Sequence, residues 1–143
     1  MYLHEISVGK GQLVSLPYKV CYTATTLDGN DSEIIVFLKS VPNSVLQGFM
    51  RWIEIYCKDG RAALTGDSFR EAGPGVYRFR SGRYRLYCFF DEGSMIVLSH
   101  GMIKKDQKTA KKDKEAVSRL RDEYLHAKRT NTLKSKKLND GVD

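Results

Sequence analysis

The stretch VYRFRSGRYRLYCFFDEGSMIVLSHGMI, Val76 to Ile103, decides the fold. Three runs rich in Val, Ile, Tyr and Phe are separated by Ser81-Gly82 and by Asp91-Glu92-Gly93, both short and both containing glycine. Such runs with such separators predict an antiparallel meander of two hairpins. A strand sends alternate side chains to opposite faces. Tyr77 and Phe79 therefore share one face, as do Tyr84, Leu86, Cys88 and Phe90. If that face packs on helices, the other carries Arg78, Arg80, Arg83 and Arg85 beside Tyr87. Four guanidiniums on two neighbouring strands repel one another, and no acid alternates with them. An anion on this face would relieve the repulsion. Arginine offers a planar fork matched to phosphate oxygens and tyrosine a ring on which a base stacks, so the face is a candidate nucleic-acid surface.

Beyond the meander, SHGMIKKDQKTAKKDKEA (Ser99–Ala116) places six lysines in close order. A solvated loop leading into a helix is one reading; the other is that Lys104, Lys105 and Lys108 close the rim of the basic face. The helix that follows, about Lys111 to Lys128, aligns Val117, Leu120, Tyr124 and Ala127. RTNTLKSKKLNDGVD, residues 129–143, has no core pattern and reads as a disordered basic tail.

Upstream, LPYKVCYTATTL reads as a first strand and DGND as a turn. Ser32 stands at an N-cap position before Ile34, Phe37, Leu38 and Val41, and Pro42 stops that helix. Leu46, Phe49, Met50, Ile53 and Cys57 mark a second helix closed by Gly60, giving a helical hairpin. RAALTGDSFREAGPG reads as an irregular connection. The order β-α-α-β-β-β-α is α+β, an antiparallel sheet with helices on one face. One domain over residues 1–128 is expected, with 1–12 as an N-terminal extension.

The 143 residues suffice for one core, and no apolar run nears the roughly 20 residues that span a bilayer. The N-terminus lacks a basic segment followed by an apolar one, so no signal peptide is expected. Cys21, Cys57 and Cys88 are odd in number and have no CxxC spacing; they read as buried thiols of a reducing compartment, and the expected location is the cytoplasm. Of the net charge of +7, little arises before Ser99, where 11 Lys/Arg face 10 Asp/Glu; residues 100–137 hold 13 against 5. An anionic partner is favoured there, and a membrane is not, because no basic amphipathic helix carries Trp or Phe on its other side.

From about Pro17 to Tyr124 the chain resembles the HigB branch of the RelE/ParE toxins of bacterial toxin–antitoxin pairs, including its phage-derived members. The resemblance lies in the strand with YR before its aromatic end, the HG-x-x-KK-x-x-KT corner, the A-x-x-R-x-x-x-Y helix and the helical hairpin. It implies a RelE-like fold and a toxin that cleaves messenger RNA in the ribosomal A site, silenced by a helix-turn-helix antitoxin. In such cleavage the 2′-hydroxyl attacks the adjacent phosphate, and fixed cations stabilise the phosphorane. Arg85 matches the arginine of the YR strand. Arg80 and Arg78 match basic positions on the preceding strand, and Lys104 and Lys105 match the corner. No metal or cofactor is implied.

Some members carry a tyrosine just after the corner as proton-transfer group, and this chain has none there. His100 is a candidate substitute, since an imidazole titrates near neutrality, although a histidine at a strand end also serves structure. Tyr87 is a second candidate, and the general base stays open. The alternatives to an RNA-cleaving toxin are a non-catalytic gyrase inhibitor of the ParE kind and a phage nucleic-acid-binding protein without toxicity.

Overall fold

The computed structural model describes residues 1–7, 16–30, 32–92, 94–104 and 111–136. Along the chain lie β1 (Tyr2–Glu5), β2 (Lys19–Ala24), α1 (Glu33–Ser40), α2 (Asn43–Asp59), β3 (Phe69–Gly73), β4 (Val76–Ser81), β5 (Tyr84–Asp91), β6 (Met95–Ile103), α3 (Lys111–Arg129) and β7 (Lys134–Lys136). Two short 3-10 turns, Arg61–Ala63 and Gly66–Ser68, connect α2 to β3. The α+β class expected from the sequence is observed, in an arrangement consistent with a RelE-like fold. The strands form one sheet in the order β3-β4-β5-β6-β2-β1-β7.

The meander pairs as its alternation requires, Phe79 opposite Leu86 and Tyr77 opposite Cys88. Those side chains meet Ile34 and Leu38 of α1 and Phe49, Ile53 and Tyr56 of α2 in the larger core. Gly60 ends α2 in a left-handed conformation at φ 82°, its N–H donating to the Tyr56 carbonyl. Pro42 is the N-cap of α2 as well as the stop after α1. All three cysteines are free and buried, and burial pushes the Cys57 thiol up to about 11 and that of Cys21 to about 12.

Five expectations are corrected. The sheet is mixed, because β2 runs parallel to β6 and β1 parallel to β7. Residues 2–5 of the expected extension form β1, and residues 134–136 of the expected disordered tail form β7. The connection after α2 contains β3, whose Phe69 joins the core. Helices cover both faces: α3 lies opposite α1 and α2 and packs Val117 and Tyr124 on Tyr87, Phe89 and Val97 in a second core. Tyr124 donates to Asp91 Oδ2 at 2.5 Å, and Lys128 Nζ reaches the same carboxylate at 3.0 and 3.1 Å. That buried anchor fixes the C-terminal half of α3 on the sheet.

Gly101 on β6 lies beneath the Phe37 ring, which also packs on Phe49 and Tyr84; a Cβ there would fall inside van der Waals contact of the ring. Gly101→Ala should therefore destabilise the protein by about 1–3 kcal/mol, the cost of forcing an extra carbon into a packed site. In urea the midpoint should fall at unchanged slope, and in a Phe37→Ala background the penalty should largely vanish. An equal penalty in both backgrounds would rule out this contact as its origin.

Candidate functional site

The α3 face of the sheet is apolar where the helix lies and cationic beyond it. Cross-strand register sets this division. Arg70 of β3 lies opposite Arg78 of β4, and Arg78 opposite Tyr87 of β5. Tyr87 in turn lies opposite His100 of β6. In the adjacent row Arg80 lies opposite Arg85, and Arg85 opposite Met102. Directly opposed residues have Cα atoms about 4.5–5.5 Å apart, so four arginines occupy two neighbouring rows.

The acid that tempers them comes from the turn before β3. Asp67 pairs with Arg70 through Oδ1 and with Arg80 through Oδ2 at 3.3 Å, while its carbonyl accepts from Arg78 Nη1 at 2.5 Å. Sequence alternation had no means of finding it, since Asp67 is not on the strands it serves. Burial and then the neighbouring Arg85 and Arg70 lower Arg78 from 12.5 to about 10. An arginine side chain stays protonated in proteins, so the shift measures how far the fold disfavours a charge it nevertheless holds. Since the folded value lies below the unfolded one, that cost is present at every pH below about 10, and acidification near neutrality does not relieve it. Burial also lowers Arg85, whose Nη1 donates to the Gly82 and Tyr84 carbonyls at 2.9 and 3.1 Å. Its buried Nε has no hydrogen-bond partner among the described residues.

The other expected residues divide. Arg83 lies in the two-residue turn between β4 and β5, exposed, and not on the strand face that simple alternation assigned to it. Lys104 follows β6, its N–H bonded to the Arg83 carbonyl at 2.8 Å, which brings the start of the basic corner to the arginine end of the hairpin. Lys105 and Lys108 lie outside the described residues. Tyr87 is corrected: 1% exposed beneath α3 and stacked on His100, it offers no ring face to a base.

His100 owes its position to a β-bulge. Cys88 pairs with Leu98 and Tyr87 with His100, so Ser99 is an extra residue on β6. Without it, alternation from Val97 would turn His100 toward α1; the bulge turns it toward α3. There its Nε2 lies 2.8 Å from Asp113 Oδ1 and its Nδ1 3.0 Å from Ser99 Oγ. Both ring nitrogens are thus occupied, and the imidazole joins sheet to helix instead of standing open for proton transfer. Asp113 was not singled out from the sequence, where it reads as one acid among lysines.

Residues 36–122 match the family model described as phage derived protein Gp49-like (DUF891). The match covers more than half of the chain, which belongs to that family, one of the RelE toxin–antitoxin type. No curated protein matches the chain. Among the described residues, no helix is long and apolar enough to cross a membrane.

Replacing Asp67 tests the electrostatics directly. Asp67, Arg70 and Arg80 have half-exposed side chains, so Asp67→Asn should shift stability by no more than about 1 kcal/mol. Release of two guanidiniums should make the variant elute from immobilised heparin at higher salt than the parent. Identical elution would mean that the carboxylate does not compete for the arginines.

Proposed function

We propose that this member of the Gp49-like family is the toxin of a toxin–antitoxin pair, a ribosome-dependent, metal-independent endoribonuclease that inhibits translation in the cytoplasm. The observation that carries the reading is the cross-strand cluster of Arg70, Arg78, Arg80 and Arg85, tempered among the described residues by Asp67. A fold that holds guanidiniums together against burial and mutual repulsion supports a polyanionic ligand, and phosphate oxygens match the arginine fork. The motifs resemble those of the HigB branch, with messenger RNA in the A site as the target and a helix-turn-helix antitoxin as the partner.

In this mechanism Arg85 and Arg80, directly opposed on β5 and β4, flank the scissile phosphate and stabilise charge on the phosphorane. Arg78, Arg70 and Lys104 hold neighbouring phosphates. The ribosome splays the message and aligns the 2′-hydroxyl with the phosphate it attacks, supplying the orientation that a small basic face alone lacks. His100 acts by positioning, since both its ring nitrogens are engaged. Arg83 extends the basic rim, and Lys105 and Lys108, which follow Lys104 in the sequence, add positive charge for RNA binding.

Arg85→Ala should abolish growth arrest while the protein stays folded, because the side chain leaves the sheet on the face away from the larger core; loss of one such donor is worth about 2.7–4 kcal/mol in comparable sites. Primer extension on a defined message should detect cleavage with translating ribosomes and little without them, with gyrase supercoiling assayed in parallel. Intact message in both reactions together with blocked supercoiling would replace this reading with a gyrase inhibitor.

A further inference from the structure

Beside the arginine rows, an open groove of about 530 Å³ runs between β6, the start of α1 and α3. Met102, the cross-strand partner of Arg85, forms part of its wall, so the groove begins one strand away from the cationic cluster. Asp113 lines it and is 5% exposed. Its Oδ1 accepts from His100, while Oδ2 is buried with no hydrogen-bond partner among the described residues. Most buried polar atoms find partners, so this oxygen stands out as a spare acceptor on a residue that lines the groove. Ala116 and Leu120 add apolar surface, and the charged lining is mixed, Glu33 and Glu123 standing with Lys112 and Arg119. The groove therefore suits a flat group that donates through nitrogen, and the adjoining arginines suit the phosphate attached to it.

We propose that this groove receives the base of a nucleotide whose phosphate lies on Arg85 and Arg78, and that Asp113 Oδ2 accepts from the exocyclic amine of cytosine or adenine. The proposal rests on the RNA reading above and adds base selection to it. Cytosine places an amine where uracil places the O4 acceptor, and two acceptors facing each other repel. Asp113 is a specificity residue with one oxygen committed to His100 and the other to the base. The bulge at Ser99, by turning His100 to this face, holds the carboxylate in place.

The test is fluorescence anisotropy of short labelled oligocytidylate and oligouridylate with the full-length chain across a salt series. The expected result is tighter binding of the cytidylate, by about tenfold, at equal salt dependence. Asp113→Asn can keep its carbonyl on His100 Nε2 and turn its amide NH₂ into the groove, which should erase the preference or reverse it toward uridylate. Ala116→Phe, on the half-buried wall of the groove, should block it and erase the preference while leaving the salt slope unchanged; it decides the matter if Asp113→Asn does not fold. Equal, salt-dependent binding of both oligonucleotides by the parent, or a preference untouched in both variants, overturns base selection and leaves the phosphate reading standing. Absence of binding to either oligonucleotide overturns both.

Discussion

Everything about this molecule's chemistry depends on α3 being tied to the same sheet face that carries the arginines. Two buried carboxylates tie it. Asp91 at the end of β5 receives Tyr124 and Lys128, and Asp113, near the start of α3, receives His100 from β6. Asp113 and Tyr124 are eleven residues apart, about 16 Å along a helix, so the two bonds fix both position and direction. Between them Val117 is fully buried, and a side chain of that kind contributes about 1.5–3 kcal/mol. The helix covers Tyr87 and Phe89, and the arginine strip lies beside it on β3, β4 and β5.

That strip carries a standing electrostatic cost. Like charges opposed on a sheet destabilise it. The fold meets the cost by bringing one carboxylate from outside the sheet, through the left-handed Gly66 that opens the turn carrying Asp67. Among the described residues, one carboxylate pairs within this set of four guanidiniums, which leaves the strip strongly cationic. A core chosen for stability alone would have exchanged Arg78, 7% exposed, for an apolar residue of similar volume. Its retention is most economically explained by a ligand that completes the neutralisation.

Much of the architecture was legible in the sequence because it is written in local periods. Alternation in β4 and β5 separated Tyr77, Phe79, Leu86 and Cys88 from Arg78, Arg80 and Arg85, and helical spacing marked α1, α2 and α3 to within a residue or two. What escaped was non-local. β7 gains its hydrogen bonds from β1 at the other end of the chain, and no period within Lys134–Lys136 announces that. β3 is a short edge strand with Gly and charged residues, below the threshold of pattern. The burial of Tyr87 follows from α3 docking on it, which the strand's own alternation does not report. The bulge at Ser99 reverses the face of His100, and a single inserted residue leaves no signature in a run of apolar residues. Asp67 reaches the arginines only after the chain turns back on itself.

The two anchors of α3 are unequal in a way that packing alone does not require. Asp91 is saturated, with a phenol on one oxygen and an ammonium across both. Burial raises the Tyr124 phenol, and its bond to Asp91 raises it further, so the donor keeps its proton and the anchor holds throughout the physiological range. Asp113 is similarly buried, but among the described residues only its Oδ1 has a partner. A purely structural tie at that position would be served as well by an asparagine or by a second donor on the sheet. The spare acceptor belongs to a residue that lines the groove, whereas Asp91 does not line it. The asymmetry therefore follows the chemistry of the face, one carboxylate fastening the helix and the other fastening it while keeping an oxygen in reserve.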